Sequence, residues 1–205
     1  MHTNIYFAFI GISIAVLVFP GPSILLIVAN GLQRGVVAAL YTVAGGIVAM
    51  LLQLIVALAG LTSLVTLVDE GYSYMRWVGA LYLLYLGIQR WRGDAQDLVV
   101  RSRAAGNYRS VLVEGFIVAL TNPGTMLFFV AFFPQFLNSD ASAGPQLLLM
   151  AATFMLLTVL IDSSYALLSA RIGHQLHDPH RAGARNRVSG AILIIAACAV
   201  ALINF

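Results

Sequence analysis

The chain has 205 residues, of which 60% are hydrophobic and only 9% charged, with a mean hydropathy of +0.92. A soluble domain carries about 25% charged residues, so this composition excludes one and describes an integral membrane protein. All 11 basic residues are Arg, and the net charge of +3 fits contact with anionic inner-leaflet lipid rather than with nucleic acid, since no basic patch is interleaved with base-stacking aromatics. The single cysteine, Cys198, excludes a disulfide framework or a C-x-x-C pair and reads as a small buried hydrophobe.

A spanning helix needs about 20 apolar residues, and six segments meet or approach this. Met1 to Asn4 lack the positive and small-residue marks of a signal peptide, so the first segment is expected to be retained. That segment runs from Ile5 to Leu32 and is interrupted by Phe19-Pro20-Gly21-Pro22. Two prolines lacking N–H groups, with a glycine between them, break a helix. At membrane depth such a break survives only where protein or a water-lined cavity covers it. The second segment spans Val36 to Val65. The third, Tyr72 to Arg90, has aromatic residues near both ends, as at the two membrane interfaces. The fourth, Val111 to Leu137, repeats the interruption as Thr121-Asn122-Pro123-Gly124. The fifth spans Gln146 to Ala170 and the sixth Val188 to Phe205.

The loops after the first, third and fifth segments hold ten of the arginines, and the other side holds only Arg76. The positive-inside rule then puts both termini, the Asp69-Glu70 loop and the Asn138–Pro145 loop outside the cytoplasm. Three spans per half is an odd number, so a repeat must be inverted. The expected fold is all-α: six transmembrane helices in one domain, residues 1–205, as two inverted three-helix repeats (1–90 and 111–205) around a cytoplasmic loop (91–110). Interrupted helices in corresponding positions of two halves point to a transporter binding site.

Several residues carry candidate chemistry. A helix restarting at Pro22, or at Asn122-Pro123 with Asn as N-cap, aims free N–H groups and the positive end of its dipole at the membrane centre, where a carboxylate fits. Pro20, Gly21, Pro22, Asn122, Pro123 and Gly124 are therefore candidate binding residues, against the alternative of packing kinks. Asp162 is the one carboxylate well inside a span, with Thr158, Tyr165, Ala166 and Ser169 on its face. It reads as a site for a substrate ammonium or a coupling proton, or as an interhelical hydrogen bond. Gln53 shares a small-residue face with Gly45, Ala49 and Ala57, and reads as ligand contact or interhelical contact. Tyr82 and Tyr85 read as packing before cavity lining, Glu114 and Asn30 as solvated interface positions before a gate or proton-entry role, Arg76 as reaching outer headgroups, and His174, His177 and His180 as a solvated loop before a metal site.

The ordered set Phe19-Pro20-Gly21-Pro22, Gly35, Gly45, Trp77 through Gly87 (WVGALYLLYLG), Gly115-Phe116, Asn122-Pro123, Phe128-Phe129, Phe133-Pro134-Gln135-Phe136, Asp162, Tyr165-Ala166 and Asn186-Arg187-Val188-Ser189-Gly190 resembles the lysine-exporter (LysE/RhtB) family of amino-acid exporters, over nearly the whole chain. The family often has Asn-Pro-Lys at the second break, where this chain has Gly124. The resemblance implies efflux of an amino acid or similar small zwitterionic metabolite across the bacterial inner membrane, driven by proton antiport. Substrate, lipid and the coupling proton are the expected partners, and the glycine-rich faces allow a homodimer. A metal-ion or other small-solute exporter is the alternative. No H-E-x-x-H, G-x-S-x-G, Walker motif or intramembrane aspartate pair occurs, so no enzymatic activity, metal, cofactor or ATP drive is expected.

Overall fold

A computed structural model describes residues 3–59, 64–92, 108–122, 125, 128–138, 141–175 and 182–202. They form seven α-helices: α1 (Thr3–Val18), α2 (Pro22–Arg34), α3 (Val36–Ala59), α4 (Leu64–Arg92), α5 (Tyr108–Leu120), α6 (Ala143–Gln175) and α7 (Ala182–Leu202). A π turn (Phe128–Phe132) and a 3-10 turn (Phe133–Phe136) follow α5, and no strand occurs among the described residues.

Local chemistry sets the boundaries. Gly21 is the N-cap of α2 in an extended conformation, and Pro22 takes the first helical position, where a missing N–H costs nothing. The chain turns there, so that α1 and α2 meet at 52°. Gly35 alone separates α2 from α3. Its φ of +87° favours glycine, and its N–H caps the Gly31 carbonyl at 3.1 Å. The start of α6 is pinned by Gln146. Its Oε1 accepts from the Asn138 N–H at 2.9 Å, while its Nε2 donates to the carbonyls of Asn138, Ala141 and Ser142.

Four boundaries differ from the sequence reading. Asp69 and Glu70 lie within α4 rather than in a loop, because nothing from Leu64 to Glu70 stops a helix. The segment after the second break is helical at Thr125 and passes into π and 3-10 turns from Phe128 to Phe136, where Pro134 removes one donor. The fifth helix begins earlier, since Pro145 is tolerated in a first turn, and runs on to Gln175. The last begins at Ala182, six residues ahead of Val188. Two helices, over Val36–Ala57 and Ala143–His174, are long and apolar enough to cross a membrane, and the bent α1–α2 pair makes a third.

The helices cross closely. A Cβ at Gly45 of α3 would collide with the Leu112 carbonyl of α5, and one at Gly115 with the Thr42 carbonyl. α4 lies along α7, and α2 packs on both α6 and α7. Apolar burial forms three clusters. One joins Phe9, Met50, Leu54 and Met150 to Phe128, Phe129, Phe133, Phe136 and Phe154. A second joins α2, α4, α5 and α7 around Leu26, Leu83, Val118 and Leu193. A third is Ile27, Ala39, Val43 and Ala166. Along α6 the first cluster ends at Phe154 and the third begins at Tyr165, and the buried Thr158 and Asp162 fill the gap. Large apolar side chains such as Phe7, Phe19, Leu148 and Ile195 face outward, as a lipid-facing surface requires.

Candidate functional site

The site begins with two carbonyls. In an α-helix each C=O accepts from the N–H four residues on. Four residues after Val18 stands Pro22, and four after Ala119 stands Pro123, so both carbonyls lose their partner. The structure replaces each donor with a side chain from another helix. Tyr165 of α6 donates its hydroxyl to the Val18 carbonyl at 2.8 Å. Gln53 of α3 donates Nε2 to the carbonyls of Ala119 at 3.1 Å and Leu120 at 3.0 Å. The Asn122 N–H also turns back to Ala119, and Thr121 Oγ1 donates to the Ile117 carbonyl.

The breaks touch one another: Asn122 Nδ2 donates to Ser23 Oγ, in the first turn of α2, at 3.5 Å. Gly21, Pro22, Ser23 and Asn122 are half-buried, whereas Pro20 is exposed, as is Phe19 beside it. Pro123 and Gly124 lie outside the described residues. Gln53 is buried, and with its donors engaged its Oε1 has no hydrogen-bond partner among the described residues.

Asp162 is 8% exposed, and no hydrogen bond or ion pair reaches it among the described residues. It lies about one helical turn from Tyr165, which grips the first break, and about one turn from Thr158, whose hydroxyl points at Met50 Sδ of α3. Met50 is in turn one helical turn from Gly46, which approaches the Ala119 side chain at the second break. The helix that carries the acid thus reaches the first break through Tyr165, and through Thr158 it meets the helix that carries Gln53.

A second polar cluster lies nearer the arginine-rich ends. Arg90 is 4% exposed and donates to Asn30 Oδ1 at 2.8 Å, Glu114 Oε2 at 3.2 Å and Ser189 Oγ at 3.2 Å. Glu114 also pairs with Arg34 at 3.3 Å, and Asn30 donates to Thr42 Oγ1 at 2.7 Å. The sequence reading placed Glu114 and Asn30 at a solvated interface; both are drawn into the bundle, because Arg90 arrives there from α4. Arg90 itself entered that reading only as an orientation charge. The available signal was a turn of depth: Asn30 and Glu114 stand inside their apolar runs, not beyond them.

Other candidates fall away from these sites. Tyr82 packs against the second apolar cluster, and Tyr85 is exposed. Cys198 is exposed rather than buried. His174 is exposed at the end of α6, while His177 and His180 lie outside the described residues. No group of three or more His, Cys, Asp or Glu that could hold a metal ion occurs among the described residues.

The model of the LysE type translocator family matches residues 14–203. The chain belongs to that family. Similar LysE-family relatives include an uncharacterized membrane protein of Vibrio cholerae, 25% identical over 95% of both chains. A homoserine/homoserine lactone efflux protein of Salmonella typhimurium is 26% identical over 93% of this chain and 92% of its own. A leucine efflux protein of Salmonella choleraesuis is 27% identical over 83% and 82%. No solved structure matches. Membership makes this a transmembrane transport protein, and the efflux relatives point to a transporter rather than an enzyme.

Proposed function

We propose that this LysE-family chain exports an amino acid or similar small zwitterionic metabolite from the cytoplasm across the bacterial inner membrane by proton antiport. The observation that carries the reading is the meeting of two proline-interrupted segments, through Asn122 and Ser23, beside the helix that holds a buried Asp162 without a partner among the described residues. Relatives named for efflux of homoserine and of leucine support the substrate class. In this reading the chain crosses the membrane six times as two inverted repeats, with both termini periplasmic and the arginine-rich loops cytoplasmic.

The substrate's carboxylate docks at the first turn of α2, where the Ser23 and Ile24 N–H groups precede any intrahelical acceptor. Pro20, Gly21 and Pro22 shape that turn. Asn122 faces that turn through Ser23, and Pro123 and Gly124, next in sequence, are proposed to bind with it. The ammonium is received by Asp162, and the free Gln53 Oε1 adds an acceptor beside the second break. Tyr165 and Gln53 first hold the breaks in shape. Rocking of one repeat against the other opens the site outward, where protonation of Asp162 releases the ammonium and resets the cycle.

The test is uptake of leucine and homoserine into inside-out vesicles, with and without a pH gradient. Gradient-dependent uptake is expected, and Asp162→Asn should abolish it while the protein remains inserted. Transport by that variant at the wild-type rate would remove Asp162 from the mechanism. Vesicles given divalent metal ions instead of amino acids test the alternative cargo.

A further inference from the structure

We infer that Arg90, Glu114 and Asn30 form the gate that closes the arginine-rich side of the bundle. The inference rests on the transporter reading above, and goes beyond it by naming the groups that must part for substrate to enter.

The cluster joins the elements that frame this end: Asn30 and Arg34 on α2, Thr42 on α3, Arg90 on α4, Glu114 on α5 and Ser189 on α7. It is a buried plug and not a surface pair, since Asn30 is wholly buried and Arg90 nearly so. Ser189 extends it by donating to the Ala29 carbonyl at 3.2 Å. Glu114 is the keystone, because one carboxylate serves two guanidinium groups, at 3.2 and 3.3 Å.

Its composition suits a contact that opens. A buried ion pair adds little net stability over apolar residues of similar volume, so stability alone is a weak reason to place one there. Separation changes the comparison. Parting apolar helix faces exposes surface at about 25 cal/mol per Å². Parting Arg90 from Glu114 instead lets water solvate both ions, and their hydration offsets the broken contacts. An ionic plug can therefore be tight when closed and still open. The opposite end of the bundle is built differently, around phenylalanines on π and 3-10 turns, with Phe9 edge-on to Phe133 and Phe136 and Phe128 stacked on Phe154.

The test reads closure directly, without transport. With Cys198→Ser as background, Val118→Cys places a thiol one turn beyond Glu114, on the membrane-centre side of the plug, at a position that is 2% exposed. Its reaction with a membrane-impermeant maleimide is followed in inside-out and right-side-out vesicles. Glu114→Gln and Arg90→Gln should each raise the rate about tenfold, the change that about 1.4 kcal/mol of lost closing energy produces. Glu114→Asp should raise it less. A control thiol at Ala57, buried in the phenylalanine-rich cluster, should stay unreactive. Unchanged rates at position 118 in the inserted Glu114 variants would overturn the gate, as would an equal rise at position 57, which means general loosening. If Arg90→Gln fails to insert, the Glu114 variants decide. A rise seen from the opposite side of the membrane would refute the orientation and leave the gate. Raised rates in a protein that moves no amino acid would refute the export reading alone.

Discussion

Pro22 and Pro123 each orphan the carbonyl four residues upstream, and Tyr165 and Gln53 answer them from α6 and α3. Which carbonyls would need help was legible from the sequence, since the proline positions name them. Which side chains would supply the donors was not, because each reaches across from a helix distant in the chain. The same limit hid the Arg90 cluster. Asn30, Arg90 and Glu114 each sit near the end of an apolar run, where water ordinarily solvates a polar group, and only packing shows that they converge. Gln53 carries the larger share of the break's stability. Replacing it with Leu keeps volume but strips a donor from the Leu120 carbonyl and leaves the Ala119 carbonyl only the Asn122 N–H, at about 1–3 kcal/mol for a buried group left unsatisfied. Tyr165→Phe removes one hydroxyl from a more exposed carbonyl. Thermal unfolding in detergent should therefore show a clearly larger loss for Gln53→Leu than for Tyr165→Phe; the reverse order would mean that Gln53 serves the ligand and not the helix end.

At the scale of elements, periodicity and hydropathy located the apolar cores of the helices but not their ends. α4 begins at Leu64 and passes straight through Asp69 and Glu70, because hydropathy falls there while nothing breaks the helix. The segment after Asn122 has enough apolar length for a helix and is helical at Thr125, yet from Phe128 to Phe136 it is π and 3-10, since Pro134 withholds a donor and five phenylalanines there pack as a cluster. Glycine was legible as a sign of close crossing, but the partner was not. Gly45 and Gly115 meet each other's helices, Gly87 meets Gly190, and Gly173 meets the Leu32 carbonyl. These glycines mark close crossings of helices within one chain. The hinge between α2 and α3 gives the sharpest test at this scale. Gly35 has open space around it, so Gly35→Ala meets no clash. Its φ of +87° with ψ of −176° is nevertheless a region that only glycine enters freely, and a side chain there costs about 1–3 kcal/mol. A lowered melting temperature is expected, with insertion retained. An unchanged one would mean that the turn relaxes into another geometry.

For the whole molecule the open matter is which way it faces, and here sequence and packing bear on each other. The positive-inside argument counted ten arginines against one. Packing removes Arg90 from that count, because a buried guanidinium held by Asn30, Glu114 and Ser189 cannot report on lipid or cytosol. Ten less Arg90 still leaves nine against Arg76. That bias predicts the α2–α3 turn, the segment between α4 and α5, and the segment between α6 and α7 in the cytoplasm, and residue 205 outside. It also decides which end of the bundle the Arg90 cluster closes, so the direction of export depends on it. Alkaline phosphatase, which is active only outside the cytoplasm, fused after Phe205 should be active, whereas the same enzyme fused after Arg103 should be inactive. Green fluorescent protein, which matures in the cytoplasm, should give the opposite pattern. Reversal of both patterns would turn the molecule over: the ionic cluster would then close the periplasmic end, the phenylalanine cluster the cytoplasmic one, and the first turn of α2 would have to receive substrate through the latter.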